Sequence, residues 1–141
     1  MHINGSHEQK EKYLPDCVSG TIIGGMGMSE PGAGTDVLGM TTKATLKGDH
    51  YNINGQKMWI TNGTLDGTST GDLFLVYART GEKRSDISSF LIEKGVQGFS
   101  MGQQIKEKLG MRASPTAEIV FDNVSVPTSQ LVGQANGATL C

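Results

Sequence analysis

A glycine-rich loop flanked by hydroxyl side chains offers the most specific chemistry in this sequence. Residues 28–36 read MSEPGAGTD. Gly32 and Gly34 remove side-chain bulk and permit positive φ, so the backbone can turn sharply and approach a flat ligand. Ser29 and Thr35 carry hydroxyls that can hydrogen-bond such a ligand. The loop lacks the third glycine of a dinucleotide fingerprint and the lysine of a P-loop, and by composition alone it is also typical of an ordinary turn.

Other residues with catalytic or metal-binding chemistry lack a diagnostic spacing. Glu30 and Asp36 are candidates for an acid–base carboxylate pair, but six residues of loop do not define a distance. The three histidines have no metal-ligand spacing, so we assign no metal site. Lys106, Lys108 and Arg112 form a basic cluster that is typical of a solvated face, with contact to a phosphate-bearing ligand as the alternative.

A short helix and a series of strands must position the loop. Ser6 and Gln9 have the spacing of a capping box, which predicts a helix that begins near His7 and stops at Pro15, with Gly20 ending a polar linker. After this helix, 20 glycines in 141 residues favour many turns over long helices.

The remainder predicts an all-β fold, either a compact barrel-like domain or two packed antiparallel sheets. Gly48-Asp49 and Asn54-Gly55 are typical of tight turns, which would join the first three strands into a meander. Leu73–Arg79 and Ile87–Glu93 are the most apolar segments and are expected to lie centrally between two layers. The predicted strands are Lys43–Lys47, His50–Asn54, Met58–Ile60, Leu73–Arg79, Ile87–Glu93 and Ala117–Val126.

Composition excludes several classes of protein. A net charge of −2 provides no basic stripe for nucleic acid, and no apolar run approaches the roughly 20 residues of a membrane span. Cys17 and Cys141 are far apart without a secretory leader, so neither a disulfide framework nor a thiol metal site is suggested. A reducing compartment is the default.

The loop also resembles a known family. Residues 27–39 match, position by position, the first signature of the acyl-CoA dehydrogenases, and residues 54–63, NGQKMWITNG, resemble the second. Residues 8–15, 108–112 and 120–127 are similar to further stretches of that family. The resemblance covers nearly the whole chain, and details of residues 90–95 and 108–112 are similar to isovaleryl-CoA and related short- or branched-chain members.

The resemblance implies that the chain binds FAD and acyl-CoA. Trp59 and Ile60 would pack against the isoalloxazine, and Thr61 would donate near flavin N5, which accepts hydride. By its type alone, Trp59 is a large core residue, which is the more frequent role of a buried indole. Thr35, Arg84 and Ser85 would lie on the acyl-CoA side. The residues implied to lie along FAD are Met26, Met28, Ser29, Gly34, Thr35, Trp59, Ile60 and Thr61.

The resemblance further implies a division of the chain and a role in a larger enzyme. Residues 1–20 would be the remnant of an N-terminal helical domain, 21–136 the FAD- and acyl-CoA-binding β-domain, and 137–141 the start of a linker. Family members oxidise acyl-CoA to trans-2-enoyl-CoA, with a C-terminal glutamate as base, so a fragment lacking it is expected to be inactive.

The same family implies partners and a location. Full-length members pass electrons to an electron-transferring flavoprotein, commonly form homotetramers, and lie in the mitochondrial matrix of eukaryotes or the cytoplasm of bacteria. Two alternatives stay open, namely an acyl-CoA oxidase-type flavoprotein domain and a non-catalytic β binding module.

Overall fold

One α-helix precedes the strands. The computed structural model describes residues 1–138, so the predicted linker at 137–141 lies mostly outside the described residues. Helix α1 spans His7–Ser19. The predicted capping box opens it, because the Gln9 amide donates to the Ser6 hydroxyl and the Ser6 amide donates to the Gln9 side-chain oxygen. Within residues 1–138, no helix has the length and hydropathy needed to cross a membrane.

The helix ends later than predicted. It continues through Pro15 to Ser19 and is capped by Gly20, whose φ of 79° lies in the left-handed region. The expected stop at Pro15 is therefore wrong. Proline removes one backbone donor, but the last turn persists because Cys17 packs with the buried Tyr13 against the sheet.

Within residues 1–138, eight strands form one sheet, with two short 3-10 helices, Val37–Gly39 and Thr128–Gln130, between them. The order along the sheet is β6-β7-β3-β2-β4-β5-β8, and β1 pairs with β4 beside this path. The strands are β1 Gly24–Gly27, β2 Lys43–Lys47, β3 His50–Thr61, β4 Leu73–Arg79, β5 Ile87–Glu93, β6 Phe99–Gln104, β7 Thr116–Pro127 and β8 Leu131–Val132.

The sheet is mixed and open, which corrects the predicted fold in its details. Strand β1 runs parallel to β4, and β2 meets β4 in parallel at Lys43 and Arg79. The expectation of purely antiparallel sheets is therefore wrong. Among the described strands β6 and β8 end the order without pairing to each other, so the sheet does not close into a barrel. The mostly β character is confirmed.

Strand β3 is a single long strand instead of two arms of a meander. Its register against β7 shifts between Ile53 and Gly55. Gly55 has a φ of 143°, and a Cβ there would lie 2.7 Å from the Thr42 Cα. The glycine therefore forms a β-bulge where the residue just before β2 passes closely, and the predicted turn at Asn54-Gly55 is wrong. A second shift lies between Lys57 and Ile60.

The core lies on both sides of β5. Phe90 and Ile92 belong to the main cluster, where Phe74, Phe99 and Phe121 also pack. Leu91 points the other way, into a smaller cluster under α1. Six of the seven residues of this strand are buried, as its apolar sequence predicts, but the strand lies second from one end of the sheet order instead of between two packed sheets.

Candidate functional site

The signature loop is held by a carboxylate buried beneath it. Residues 30–33 form a tight turn, in which Glu30 and Ala33 exchange two backbone hydrogen bonds of 3.0 and 3.1 Å. The Glu30 carboxylate is 2% exposed and accepts from the amides of Thr41 and Thr42 at 2.6 and 2.9 Å. The predicted positive φ at Gly32 is not used, so the turn does not need the conformational freedom of glycine there.

Lys57 completes this buried arrangement. Its Nζ lies 3.0 Å from Glu30 Oε1 and 3.1 Å from the Met28 carbonyl oxygen. Burial would raise the pKa of Glu30, but hydrogen bonds from Thr42 and Thr41 and the Lys57 charge lower it to about 2. Burial lowers the pKa of Lys57, and Glu30 opposes that shift. Both carboxylate oxygens of Glu30 are thus held by amides and by Lys57, so Glu30 is not available for acid–base chemistry.

The second bulge of β3 turns Trp59 outward. Trp59 has a φ of 60°, and its side chain is 55% exposed, whereas Ile60 is 3% exposed and lies in the core. A positive φ is rare for an aromatic residue, and bulges re-aim side chains in this way. The alternative that Trp59 is a core residue is therefore wrong.

One cavity collects most of the predicted site residues. Its volume is about 660 Å³. Leu73, Leu75 and Leu91 form an apolar floor from β4 and β5. The predicted residues that line it are Met26, Met28, Ser29, Trp59, Ile60 and Thr61.

Several hydrogen-bonding groups at the cavity have no partner in the described chain. The hydroxyls of Ser29 and Thr61 and the indole nitrogen of Trp59 make no hydrogen bond within residues 1–138. All three residues line the cavity. An apolar floor with a few polar groups converging on it is the usual composition of a small-molecule site.

The other predicted residues lie elsewhere. Gly34 and Thr35 are exposed and do not line the cavity. Arg84 and Ser85 are exposed on the loop after β4, where Arg84 contacts Asp36 across the surface. The proposed carboxylate pair is thus absent, because Asp36 pairs with Arg84 and Glu30 with Lys57.

The basic cluster is partly committed to its own loop. The Lys108 ammonium donates to the Ser114 carbonyl and to the Thr116 hydroxyl, and the Arg112 guanidinium donates to the Lys108 carbonyl at 2.9 Å. None of these residues lines the cavity. This geometry favours the solvated-face interpretation.

Sequence reasoning missed residues that shape the cavity from β1 and the end of β3. The Asn62 side chain donates to the Gly24 carbonyl at 2.8 Å, and its φ of 59° turns the chain at that point. A Cβ on Gly25 would lie 2.7 Å from the Phe74 ring. The glycine pair at 24–25 indicates a close approach of the backbone to another segment, but the sequence does not indicate which strand that segment is.

Known proteins are similar to this chain in sequence and in fold. The protein-family model described as "Acyl-CoA dehydrogenase, middle domain" matches residues 25–124. The chain is 45% identical over 137 residues to mitochondrial isovaleryl-CoA dehydrogenase of Pongo abelii, covering 94% of this chain and 31% of that protein. It is 45% identical over 133 residues to the short-chain specific acyl-CoA dehydrogenase of Clostridium acetobutylicum, covering 93% and 34%.

A solved structure agrees with these relatives. The glutaryl-CoA dehydrogenase of Mycobacterium smegmatis, solved in complex with FADH2, superposes with a TM-score of 0.85 at 39% identity, covering 95% of this chain and 32% of that one. The chain therefore spans about a third of the length of the proteins it matches.

Proposed function

The chain belongs to the acyl-CoA dehydrogenase family, and on that premise we propose that it forms the FAD-binding wall of an enzyme that oxidises acyl-CoA to trans-2-enoyl-CoA. One observation carries the proposal: at the end of β3 a bulge presents Trp59 to a cavity whose hydroxyl groups lack partners. A β module without a ligand has no need to keep a strained, exposed tryptophan there.

The cavity fits the flavin ring in size and chemistry. Its volume of about 660 Å³ lies within the roughly 300–1,000 Å³ of small-molecule sites. The leucine floor and the Trp59 indole suit a flat aromatic ring, and the hydroxyls of Ser29 and Thr61 suit its polar edge. Bound FAD would supply the hydride acceptor that protein side chains lack.

The residues of this chain bind and orient. We assign Trp59 to ring packing, Thr61 to hydrogen-bond donation near the reacting edge, and Ser29 to the opposite polar edge. A fixed donor near developing negative charge stabilises it without reorganisation. Gly34 and Thr35, outside the cavity, are assigned to the pyrophosphate side.

The nucleotide tail of acyl-CoA is assigned to the surface of the two contacting loops. Thr35 lies beside Asp36, which Arg84 contacts, so Thr35, Arg84 and Ser85 occupy one region. No proton-abstracting residue is assigned to this chain, which we therefore expect to be inactive alone. The proposal also includes an electron-transferring flavoprotein as electron acceptor and a homotetrameric whole enzyme.

Titration with FAD tests the binding role. Trp59 is the only tryptophan of the chain, so its fluorescence reports directly on the cavity. We expect FAD to quench it with a dissociation constant above about 1 μM, because each ~1.4 kcal/mol of missing contact costs tenfold in affinity. ATP, which lacks the flavin, serves as the control ligand and should leave the fluorescence unchanged.

Two results would count against this role. Equal quenching by ATP would assign the site to the nucleotide half, and no quenching by FAD at millimolar concentration would favour the non-catalytic module. Submicromolar binding would instead show that this wall suffices by itself.

A further inference from the structure

Lys57 is a fully buried lysine whose ammonium group lies behind the cavity-lining segment. Its side chain is 0% exposed, and Nζ contacts the Met28 carbonyl oxygen, Glu30 Oε1 and, at 3.7 Å, the Met40 sulfur. A buried charge is costly unless it is paired and hydrogen-bonded. Glu30 provides the pairing, so the contact with the Met28 carbonyl goes beyond what charge neutralisation requires.

Two successive residues of β3 hold two successive carbonyls of the signature loop. Lys57 donates from its side chain to Met28 at 3.1 Å, and the Met58 amide donates to the Ser29 carbonyl at 2.9 Å. The peptide between Met28 and Ser29 is trans, so its N–H points opposite to the carbonyl that Lys57 holds.

That N–H is free to serve a ligand. Among residues 1–138 the Ser29 amide has no acceptor, and Ser29 lines the cavity. An oriented amide without a partner is a strong donor for an acceptor atom of a ligand. The direction of this donor depends on the group that holds the opposite end of the peptide plane.

Lys57 also stands where the second bulge begins. The register of β3 against β7 shifts between Lys57 and Ile60, and Trp59 lies within this shift. The Lys57 side chain thus ties the signature loop to the strand segment that carries the indole. Gly27 leaves room for the lysine stem, because a Cβ there would lie 3.4 Å from the Lys57 Cγ.

We infer that Lys57 is a positioning residue that fixes the Met28–Ser29 peptide, so that the Ser29 N–H donates into the cavity beside Trp59. The ligand it serves rests on the proposed function, since it is an acceptor atom on the polar edge of the flavin. The orientation of the peptide itself can be measured without any ligand.

The test removes the Lys57 ammonium group in a way that leaves no unpaired charge in the protein interior. Lys57→Met keeps the unbranched stem but leaves Glu30 unpaired, which can prevent folding. The double variant Glu30→Gln/Lys57→Met removes both charges, and replacement of a whole buried pair is often tolerated. Lys47→Met makes the same substitution at an exposed position of β2, and Val124→Ala weakens the core beside Ile53 without touching the cavity.

Two readouts separate positioning from general stability. In the ligand-free protein, we expect the amide resonance of Ser29 and the single indole resonance of Trp59 to shift or broaden in the double variant only. Its affinity for FAD should fall about five- to tenfold, as expected for one misdirected hydrogen bond. Both controls should keep the wild-type resonances and affinity.

The inference is overturned if the folded double variant keeps both resonances and binds FAD within twofold of the wild type. Failure of the wild-type chain to bind FAD would contradict the proposed function instead. In that case the ligand-free resonances still decide whether Lys57 sets the Ser29 peptide.

Discussion

Trp59 adopts a backbone conformation that an aromatic residue seldom has inside a strand. Its φ of 60° carries a cost of roughly 1–3 kcal/mol, which the surrounding structure must offset. The motif resemblance named this residue for the site, but its exposure depends on a bulge between β3 and β7. The register of two strands about sixty residues apart in sequence is a tertiary property that local patterns do not contain.

Lys57 shows why part of the site escaped sequence reasoning. Tyr51 and Ile53 alternate inward along β3, and Lys57 continues the inward series. A charged residue at such a position indicates a buried partner. A turn predicted at Asn54-Gly55 interrupts this inward series, so the series does not lead from Ile53 to Lys57. The partner of Lys57, Glu30, lies 27 residues away in sequence.

The Glu30 pKa predicts an acid-sensitive fold. A carboxylate whose folded pKa is about 2, below its ordinary value of 4.5, contributes stability that is present above pH 4.5 and lost as the pH falls towards 2. The contribution is about 3 kcal/mol by linkage.

Urea unfolding between pH 2 and 7 measures this effect. The wild type should lose more free energy of unfolding across the range than Glu30→Gln/Lys57→Met. The pKa values of Glu93, paired with Lys12, and of Asp66, which accepts hydrogen bonds from Ser69 and Thr68, are also lowered. Those groups remain in both proteins, so their effects cancel in the comparison. Parallel pH profiles would contradict the assignment to Glu30.

At the scale of elements, strands with a strong local sequence pattern are predictable from the sequence, and strands with a weak pattern are not. Strands β2, β4, β5 and β7 were predicted within a residue at each end, because they alternate or are strongly apolar. Strand β1 reads Gly-Gly-Met-Gly, which has no β propensity. It forms because its glycines allow close parallel pairing with β4, a contact between distant segments.

The pairing of β1 leads to a prediction about Gly25. In Gly25→Ala the new Cβ would meet the Phe74 ring at 2.7 Å and the Thr61 carbonyl oxygen at 2.8 Å. Neither neighbour can move freely, so we expect the free energy of unfolding to fall by about 1–3 kcal/mol, as for overpacked cores.

Gly34→Ala is the matched control for this variant. A Cβ on Gly34 meets nothing within 4 Å, and its φ is not in the left-handed region. Its stability in the absence of ligand should therefore match the wild type. Equal stability of both alanine variants in denaturant titrations would show that β1 does not pack as closely as described.

At the scale of the whole molecule, the open sheet leaves apolar surface beside the cavity. Met26 and Trp59 are each 55% exposed, and Ile23 is 41% exposed. Met28, which also lines the cavity, is only partly exposed.

This surface predicts self-association of the chain that depends on concentration and on the cavity. Exposed apolar patches of a few hundred Å² usually find a partner, and methionine adapts to whatever packs against it. Sedimentation velocity over a wide concentration range should show reversible association that weakens in Trp59→Asn, a substitution chosen because asparagine tolerates positive φ.

Leu46→Asn is the control for this variant. It removes a side chain of similar exposure, 56%, on β2 away from the cavity, and should leave association unchanged. Because FAD and a second chain would cover the same surface, saturating FAD should also favour the monomer. A strictly monomeric wild type at high concentration, or equal effects of the two asparagine variants, would show that this face does not drive association.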